Sequence, residues 1–317
     1  MRSLVAAVLA LLLASSPVRA ETTLDVGVVS RTIFYLPAWT AIAQGFFKHE
    51  GLDVRIEVYD GSDRIADDLR AGAKQIGITS IESLIGEAYR GGKLRLVAAT
   101  AQRPPHFIIA QPEIKSLADL KGKTIGVVSM KEGTTFFIAD IARAGGFALA
   151  DVKVEAVGGS PTRAHLLRER KIDAGLQPYP LSYEAEAAGF SNLGPIADLV
   201  PDYQFTSVVV DEAWARANRA ALVGFLRALR RGTEYMFAHP DESAALGAKE
   251  LRTTPDFARR ALEDTARMDI LARDLALTDA SLRRVFDNVK AARLVPADTA
   301  FDRATFVDEG YLDESRK

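Results

Sequence analysis

Short apolar runs alternate with amphipathic runs through the first hundred residues, and this alternation limits the chain to few folds. Apolar positions at helical spacing predict helices at 36–47, 63–71 and 83–90. The runs between them are short and apolar, and they predict strands at 23–29, 53–59, 76–79 and 94–99. Strict alternation is typical of a parallel α/β sheet, in which the loops after the strands open onto one edge. We therefore expect a ligand site at that edge.

The pattern breaks and then restarts, which predicts a second α/β unit. Two prolines follow an arginine at 103–105, where they stiffen the chain and stop a helix. This segment by itself fits a surface loop as well as a crossing into a second domain. An apolar, β-branched run at 205–210 is interpreted as the strand that returns to the first unit, after which the chain is mostly helical. If the chain crosses here, lobe I comprises 21–102 and 206–317, and lobe II comprises 103–205. Within lobe II, strands are predicted at 106–110, 124–128, 152–156 and 174–176.

Four segments carry a family resemblance. Pro37 precedes AQGFF at 43–47 and GLDV at 51–54, and the later segments are SLADLKGKTIGV at 116–127, KIDAGLQPYP at 171–180 and FLRALRRGTEYMFAHPDE at 225–242. Together they resemble periplasmic solute-binding proteins of ABC importers, in the branch that takes sulfonates, nitrate and thiamine-precursor pyrimidines. The resemblance implies an α/β, two-lobed periplasmic-binding-protein type II fold with two crossing segments. It also implies a ligand between the lobes and hinge closure around it.

The first twenty residues predict a signal peptide. Arg2 precedes an uninterrupted apolar run at 4–14, and Val18-Arg19-Ala20 is a small-residue cleavage site. The competing interpretation is an uncleaved membrane anchor. The apolar run is shorter than the roughly twenty residues that a membrane-spanning helix needs, which favours the signal peptide. The chain has no cysteine, which removes a lipoprotein anchor and any disulfide. We expect a periplasmic protein that is cleaved after Ala20.

Composition and motifs argue against several functional classes. The net charge is −2, so the chain lacks the basic footprint of a nucleic-acid-binding protein. The four histidines are scattered without the spacing of a zinc motif, and no Walker loop, nucleophile elbow or dinucleotide motif occurs. The fungal pyrimidine synthases, which are enzymes, resemble this chain at the level of the fold. Their cysteine-rich motif is missing here, and we expect no enzyme activity, no cofactor and no metal.

The candidate ligand-binding residues come from loops that follow predicted strands. In lobe II, the loops at 129–135 and 158–160 place hydroxyls and backbone N–H groups at helix N-termini, which favour an anion. Plain N-capping is the alternative. Glu82 would repel an anion or pair with a cationic group. The candidates are Ser30, Arg31, Tyr35, Gly61, Ser62, Ser80, Ser129, Gly133, Thr134, Thr135, Gly159, Ser160, Gln177 and Tyr179.

These observations predict a substrate-binding component that captures a small organic solute and delivers it to an inner-membrane ABC permease and ATPase complex. The preferred ligand is an organic anion with an aromatic or apolar body, such as a sulfonate, a carboxylate or a pyrimidine, because tyrosine and phenylalanine rings occupy the candidate loops. We expect a monomer. Two alternatives stay open, a ligand-sensing module for a signalling receptor and a pyrimidine-synthase-like enzyme.

Overall fold

The computed structural model describes residues 21–130 and 133–317. The predicted signal peptide and the pair 131–132 lie outside the described residues. Within those ranges no helix combines the length and the apolar character needed to cross a bilayer. The strands are β1 (Thr22–Val28), β2 (Leu52–Val58), β3 (Ile76–Thr79), β4 (Leu94–Ala101), β5 (His106–Ala110), β6 (Thr124–Val127), β7 (Lys153–Ala156), β8 (Ala174–Pro178), β9 (Ser191–Pro195) and β10 (Thr206–Asp211).

These strands form two mixed five-stranded sheets. The first has the order β2-β1-β3-β10-β4, and β10 runs antiparallel to both of its neighbours. The second has the order β7-β6-β8-β5-β9, and β5 runs antiparallel to both of its neighbours. Four strands of each sheet therefore share one direction, as predicted. The fifth strand, β10 in the first sheet and β5 in the second, is the one that follows a strand or helix of the other lobe in sequence. We call the first sheet with its helices lobe I, and the second with its helices lobe II.

Helices cover both sheets. Their bounds are α1 (Leu36–Ala43), α2 (Phe46–His49), α3 (Ser62–Arg70), α4 (Glu82–Ala88), α5 (Gly133–Phe136), α6 (Ile138–Gly145), α7 (Ser160–Arg168), α8 (Leu181–Ala187), α9 (Ile196–Leu199), α10 (Glu212–Ala217), α11 (Arg219–Ala238), α12 (Pro240–Glu250), α13 (Pro255–Arg267), α14 (Asp279–Ala291) and α15 (Gly310–Ser315).

The predicted helix over 36–47 is two helices. Gly45 separates α1 from α2 with φ of 69°, a left-handed conformation that glycine adopts without the steric cost paid by other residues. Sequence analysis also overlooked β9, α8, α9 and α12. Helix α12 begins at Pro240, because proline is well suited to the first helical turn.

The long helix α11 holds α1 in place, and α1 in turn carries the loop that leaves β1. Leu222, Phe225 and Leu229 are buried on the face of α11 that packs inward. Gly232 lets the two helices approach closely, because a Cβ atom there would lie 2.4 Å from the carbonyl oxygen of Pro37. This packing positions the first loop of lobe I at the interlobe face.

Two chain segments run side by side where the lobes join. The backbone N–H of Phe205 donates to the carbonyl of Ala101 at 2.8 Å, and the hydroxyls of Thr100 and Thr206 lie 2.7 Å apart. These residues lie at the ends of the two connections between the sheets, one between β4 and β5 and the other between α9 and β10.

The lobes also contact each other on both flanks through the C-terminal helices. On α13, Asp264 accepts a 2.5 Å hydrogen bond from Tyr183 of lobe II. On α14, the Arg284 guanidinium contacts both carboxylate oxygens of Asp140 at 2.8 and 2.9 Å. The described conformation is therefore closed around the space between the sheets.

Candidate functional site

A cavity lies between the two lobes, at the carboxyl ends of strands from both sheets. Its volume is about 40 Å³, counted as the space that the centre of a water molecule can occupy. That is room for a few waters, so the closed conformation leaves little empty volume. Its lining comprises Val29, Ser30, Phe34, Tyr35, Ser62, Ser80, His106, Val128, Gly133, Thr134, Gly159, Ser160, Arg163, Phe205 and Thr206.

Eight of the fourteen candidate residues line this cavity. They come from loops that follow β1, β2, β3, β6 and β7, whose carboxyl ends meet across the cleft because these strands run parallel within each sheet. The eight are Ser30, Tyr35, Ser62, Ser80, Gly133, Thr134, Gly159 and Ser160.

Six candidates lie outside the cavity lining, and two of them have other partners within the protein. The Arg31 guanidinium pairs with Glu250 of lobe I at 3.4 Å and lies over the ring of Trp39 at 5.5 Å. The Tyr179 ring is buried against α13, and its hydroxyl contacts the sulfur of Met268 at 3.0 Å. Arg31 nevertheless lines a second, wider pocket between the lobes, whereas Tyr179 lines neither space.

The other four are backbone or supporting positions. Gly61 precedes α3, and the Thr135 hydroxyl donates to the carbonyl of Ser129. Gln177 is buried, and its side-chain amide is oriented so that both the nitrogen and the oxygen make hydrogen bonds. The nitrogen donates to the Ser160 carbonyl at 3.2 Å, and the oxygen accepts from the Ala164 N–H at 3.1 Å. Gln177 thus supports a cavity residue from behind.

Hydroxyls on the lobe I side are held in a fixed arrangement. Ser62 and Ser80 lie 2.7 Å apart, and Ser30 lies 2.9 Å from Thr32. Across the cleft, the Thr134 hydroxyl accepts from the N–H of Val128 at 3.3 Å. The cavity therefore presents several oriented hydroxyl groups from different loops, which is the kind of polar pattern that orients a small ligand.

Arg163 is a cavity residue that sequence analysis overlooked. Its guanidinium is fully buried and donates to the carbonyls of Gly158 and Leu176 and to the hydroxyl of Ser160, at 2.8 to 3.1 Å. These bonds tie the loop after β7 and the first turn of α7 to the end of β8. From sequence, an arginine on a helix is expected to be exposed to solvent. The one signal that could have identified Arg163 is its spacing of three residues from Ser160, which puts both side chains on the same face of the helix.

His106 was also overlooked, because the histidines were considered only as metal ligands. It begins β5, is 3% exposed and packs against Phe205 with ring centroids 4.9 Å apart. Its Nδ1 has no hydrogen-bond partner among the described residues. Burial, with a smaller effect from the nearby Arg163 charge, holds the pKa of His106 well below its usual value of 6.5.

That lowered pKa predicts a pH dependence of stability. Below about pH 6.5 the histidine of the unfolded chain takes up a proton that the folded protein excludes, so the folded state loses about 1.4 kcal/mol per pH unit until its own pKa is reached. Urea unfolding at pH 7.0, 6.0 and 5.0 should show this loss. His106→Asn should be less sensitive than the wild type over the same range. Equal slopes in the two proteins would contradict a neutral buried His106.

Glu82 lies behind the cavity wall and points toward Tyr203. The Tyr203 hydroxyl donates to the fully buried Glu82 carboxylate at 2.6 Å, and burial together with that carboxylate raises the pKa of Tyr203 well above 10. Gly133 leaves room for this pair, since a Cβ atom there would lie 2.8 Å from a Glu82 oxygen. Among the residues that the structure describes, no group of three or more acidic or histidine side chains is arranged to hold a metal ion.

A wider pocket adjoins the cavity at its mouth. Its volume on the same measure is about 730 Å³. It shares Val29 and Ser30 with the cavity lining. Asp60 lies on its wall and accepts a 3.0 Å hydrogen bond from the N–H of Gly159, which lines the inner cavity. This interlobe bond therefore lies at the boundary between the outer pocket and the inner cavity.

Comparison with known proteins gives matches over most of the chain. The family model described as NMT1/THI5 like matches residues 34–243. A Brucella abortus (strain 2308) protein, named a binding protein without a ligand in its name, is 30% identical over 219 residues, covering 67% of each chain. The riboflavin-binding protein RibY of Chloroflexus aurantiacus is 25% identical, covering 72% of this chain and 66% of its own.

An enzyme is also among the similar proteins. The 4-amino-5-hydroxymethyl-2-methylpyrimidine phosphate synthase of Uromyces fabae is 26% identical over 287 residues, which cover 84% of this chain and 82% of the synthase.

Solved structures of low sequence identity share the fold. The ligand-binding component of an ABC-type import system from Staphylococcus aureus has a TM-score of 0.78 at 12% identity, with 93% of this chain and 99% of that chain covered. The periplasmic aliphatic sulphonate-binding protein SsuA of Escherichia coli has a TM-score of 0.68 at 17% identity, with 89% and 91% covered. The chain therefore has the periplasmic-binding-protein fold.

Proposed function

The chain belongs to the NMT1/THI5-like family, and from this premise we propose that it is the periplasmic substrate-binding component of an ABC importer. The observation that carries the proposal is the interlobe cavity, which is lined by loops from both lobes. A solute bound there would touch both lobes only when the cleft is closed, so binding and closure are coupled. The closed surface is what a membrane permease would recognise.

The proposed domains are lobe I at 21–102 and 206–317 and lobe II at 103–205. The proposed contacts to the solute come from Ser30, Ser62 and Ser80 of lobe I and from Thr134 and Ser160 of lobe II. Arg31 lines the adjoining wider pocket and stays a proposed contact, whereas Tyr179, whose hydroxyl contacts Met268, is left out of the proposed site.

The proposed ligand is a small organic molecule with an aromatic or apolar body and at least one polar or anionic group. Rings of Phe34, Tyr35 and Phe205 form the apolar part of the cavity, and hydroxyls surround it. Similar proteins named for riboflavin and for aliphatic sulphonates support this range of ligands. A sulfonate, a carboxylate and a pyrimidine each fit this description.

A thermal-unfolding screen of residues 21–317 tests the proposal. The panel comprises alkanesulfonates, aromatic and aliphatic carboxylates, nitrate and pyrimidines. A ligand present at a hundred times its dissociation constant should stabilise the folded protein by about 2.7 kcal/mol, which raises the melting temperature measurably. No shift with any class, for protein freed of carried-over ligand, would contradict solute binding.

Two matched variants locate the site. Ser80→Trp fills the cavity and should abolish the shift, since Ser80 is buried in the lining. Ser116→Trp alters an exposed serine of lobe II outside the lining and should keep it. A shift that persists in Ser80→Trp would place the ligand elsewhere.

The match to the Uromyces fabae synthase supports an enzyme as second candidate. Mass spectrometry after incubation of the protein with each stabilising ligand separates the two functions. A binding protein returns the ligand with unchanged mass, whereas an enzyme of the synthase kind would yield a new mass that grows with time.

A further inference from the structure

We propose that His106 determines ligand specificity, with its Nδ1 making a hydrogen bond to a heteroatom on a ring of the bound solute. This inference rests on the proposed function of the cavity and deepens it. It assigns a solute class, flat rings that contain a nitrogen atom, and it distinguishes them from rings built of carbon alone.

The hydrogen-bonding state of the cavity lining singles out this residue. Ser62 with Ser80, Ser30 with Thr32, and Thr206 with Thr100 are paired hydroxyls, and Ser160 accepts from Arg163. Within 21–130 and 133–317, Nδ1 of His106 is the one buried side-chain atom without a hydrogen-bond partner that belongs to a residue of the lining. Buried polar atoms are nearly always satisfied, so this atom is expected to find its partner in a ligand.

The surroundings of His106 favour a flat partner. Phe205 meets the imidazole edge-to-face with centroids 4.9 Å apart, and Phe34 lies 6.5 Å from it and 5.7 Å from Phe205. Three rings thus form one wall, and Val29 and Val128 also line the cavity. Ring faces and edges pack well against another ring, and one polar atom among them selects where a heteroatom can lie.

The imidazole is held neutral, which decides what it recognises. Burial and the neighbouring Arg163 keep the pKa of His106 well below the usual 6.5. A neutral imidazole carries one N–H and one lone pair, and its tautomer can adapt to the partner. His106 therefore selects for hydrogen-bonding geometry and not for charge.

The test uses nicotinate and benzoate, two carboxylates that differ by one ring nitrogen. Calorimetry should show that the wild type binds nicotinate about tenfold more tightly, the factor that corresponds to about 1.4 kcal/mol. His106→Asn, whose amide lies as many bonds from Cα as Nδ1 does, should keep most of this preference. His106→Gln, whose amide reaches the distance of Nε2, and His106→Leu should bind the two probes equally.

A stability measurement separates ligand recognition from a structural role. Removing a buried atom that lacks a partner should leave the unliganded His106→Leu protein at least as stable at pH 7 as the wild type. Equal affinity of the wild type for both probes, or undiminished preference in His106→Leu, would overturn the inference. Binding of alkanesulfonates with both ring probes inert would also overturn it, while the proposed transport function would stand. Inertness of the whole solute panel would overturn both.

Discussion

Replacing Gly159 by alanine is expected to weaken solute binding by about tenfold or more while leaving the protein folded. The Gly159 backbone has φ of −60° and ψ of 173°, a conformation that alanine adopts without strain. In the closed form, however, a Cβ atom at this position would lie 2.7 Å from an oxygen of Asp60, which belongs to lobe I. Such overpacking costs roughly 1–3 kcal/mol, and it arises only when the lobes meet.

The experiment compares affinity with stability. Calorimetry with the best ligand of the solute panel should show the loss for Gly159→Ala, and urea unfolding should show stability within about 1 kcal/mol of the wild type. The double variant Asp60→Ala/Gly159→Ala removes the clashing oxygen and should regain part of the affinity. Wild-type affinity in Gly159→Ala would mean that Asp60 and Gly159 do not approach each other when the ligand is bound.

Replacing Arg163 by methionine is expected to destabilise the protein by about 3–5 kcal/mol. The guanidinium is fully buried and satisfies the carbonyls of Gly158 and Leu176, and methionine fills the space without supplying a donor. Each buried acceptor that loses its partner costs about 1–3 kcal/mol, and the loop after β7 loses its attachment to β8. Solute binding should weaken as well, because Gly159 and Ser160 belong to that loop and helix turn.

A neighbouring arginine provides the control. Arg168 ends the same helix and is exposed, so Arg168→Met should change the free energy of unfolding by no more than about 0.5 kcal/mol. Arg163→Lys keeps a positive charge but lacks the planar group that reaches both carbonyls, and should lie between the wild type and Arg163→Met. Similar stabilities for Arg163→Met and Arg168→Met would contradict the role assigned to Arg163.

Local sequence patterns were sufficient to predict the strands that frame the cleft. The strand at 76–79 has the bounds that were predicted, because it is a short apolar run with polar residues next to both ends. The short strand β9 was missed, since Ser191 to Pro195 contains glycine, proline and asparagine and shows no apolar alternation. It pairs at the edge of its sheet, beside β5, where such residues are tolerated.

Some residues of the candidate site could be predicted from the sequence, and others could not. Ser30, Ser62, Ser80, Gly133 and Gly159 were predictable, because each follows a strand whose carboxyl end faces the cleft. Arg31 and Tyr179 occupy equivalent loop positions, yet their side chains contact Glu250 and Met268. A loop position thus predicts proximity to the cleft, whereas the direction of a side chain depends on which partners the rest of the fold brings near it.

The sequence by itself determined the alternation of strands and helices and the loops at the strand ends, because hydrophobic period and turn chemistry are local properties. The two-lobed fold class was implied by the family resemblance. Only the tertiary structure decided that Arg163 is buried in the cavity wall, that Nδ1 of His106 lacks a partner among the described residues, and that Asp60 meets Gly159 across the cleft. Burial and pairing are set by residues far apart in the chain. No local pattern at 106 or 163 encodes what packs against those side chains.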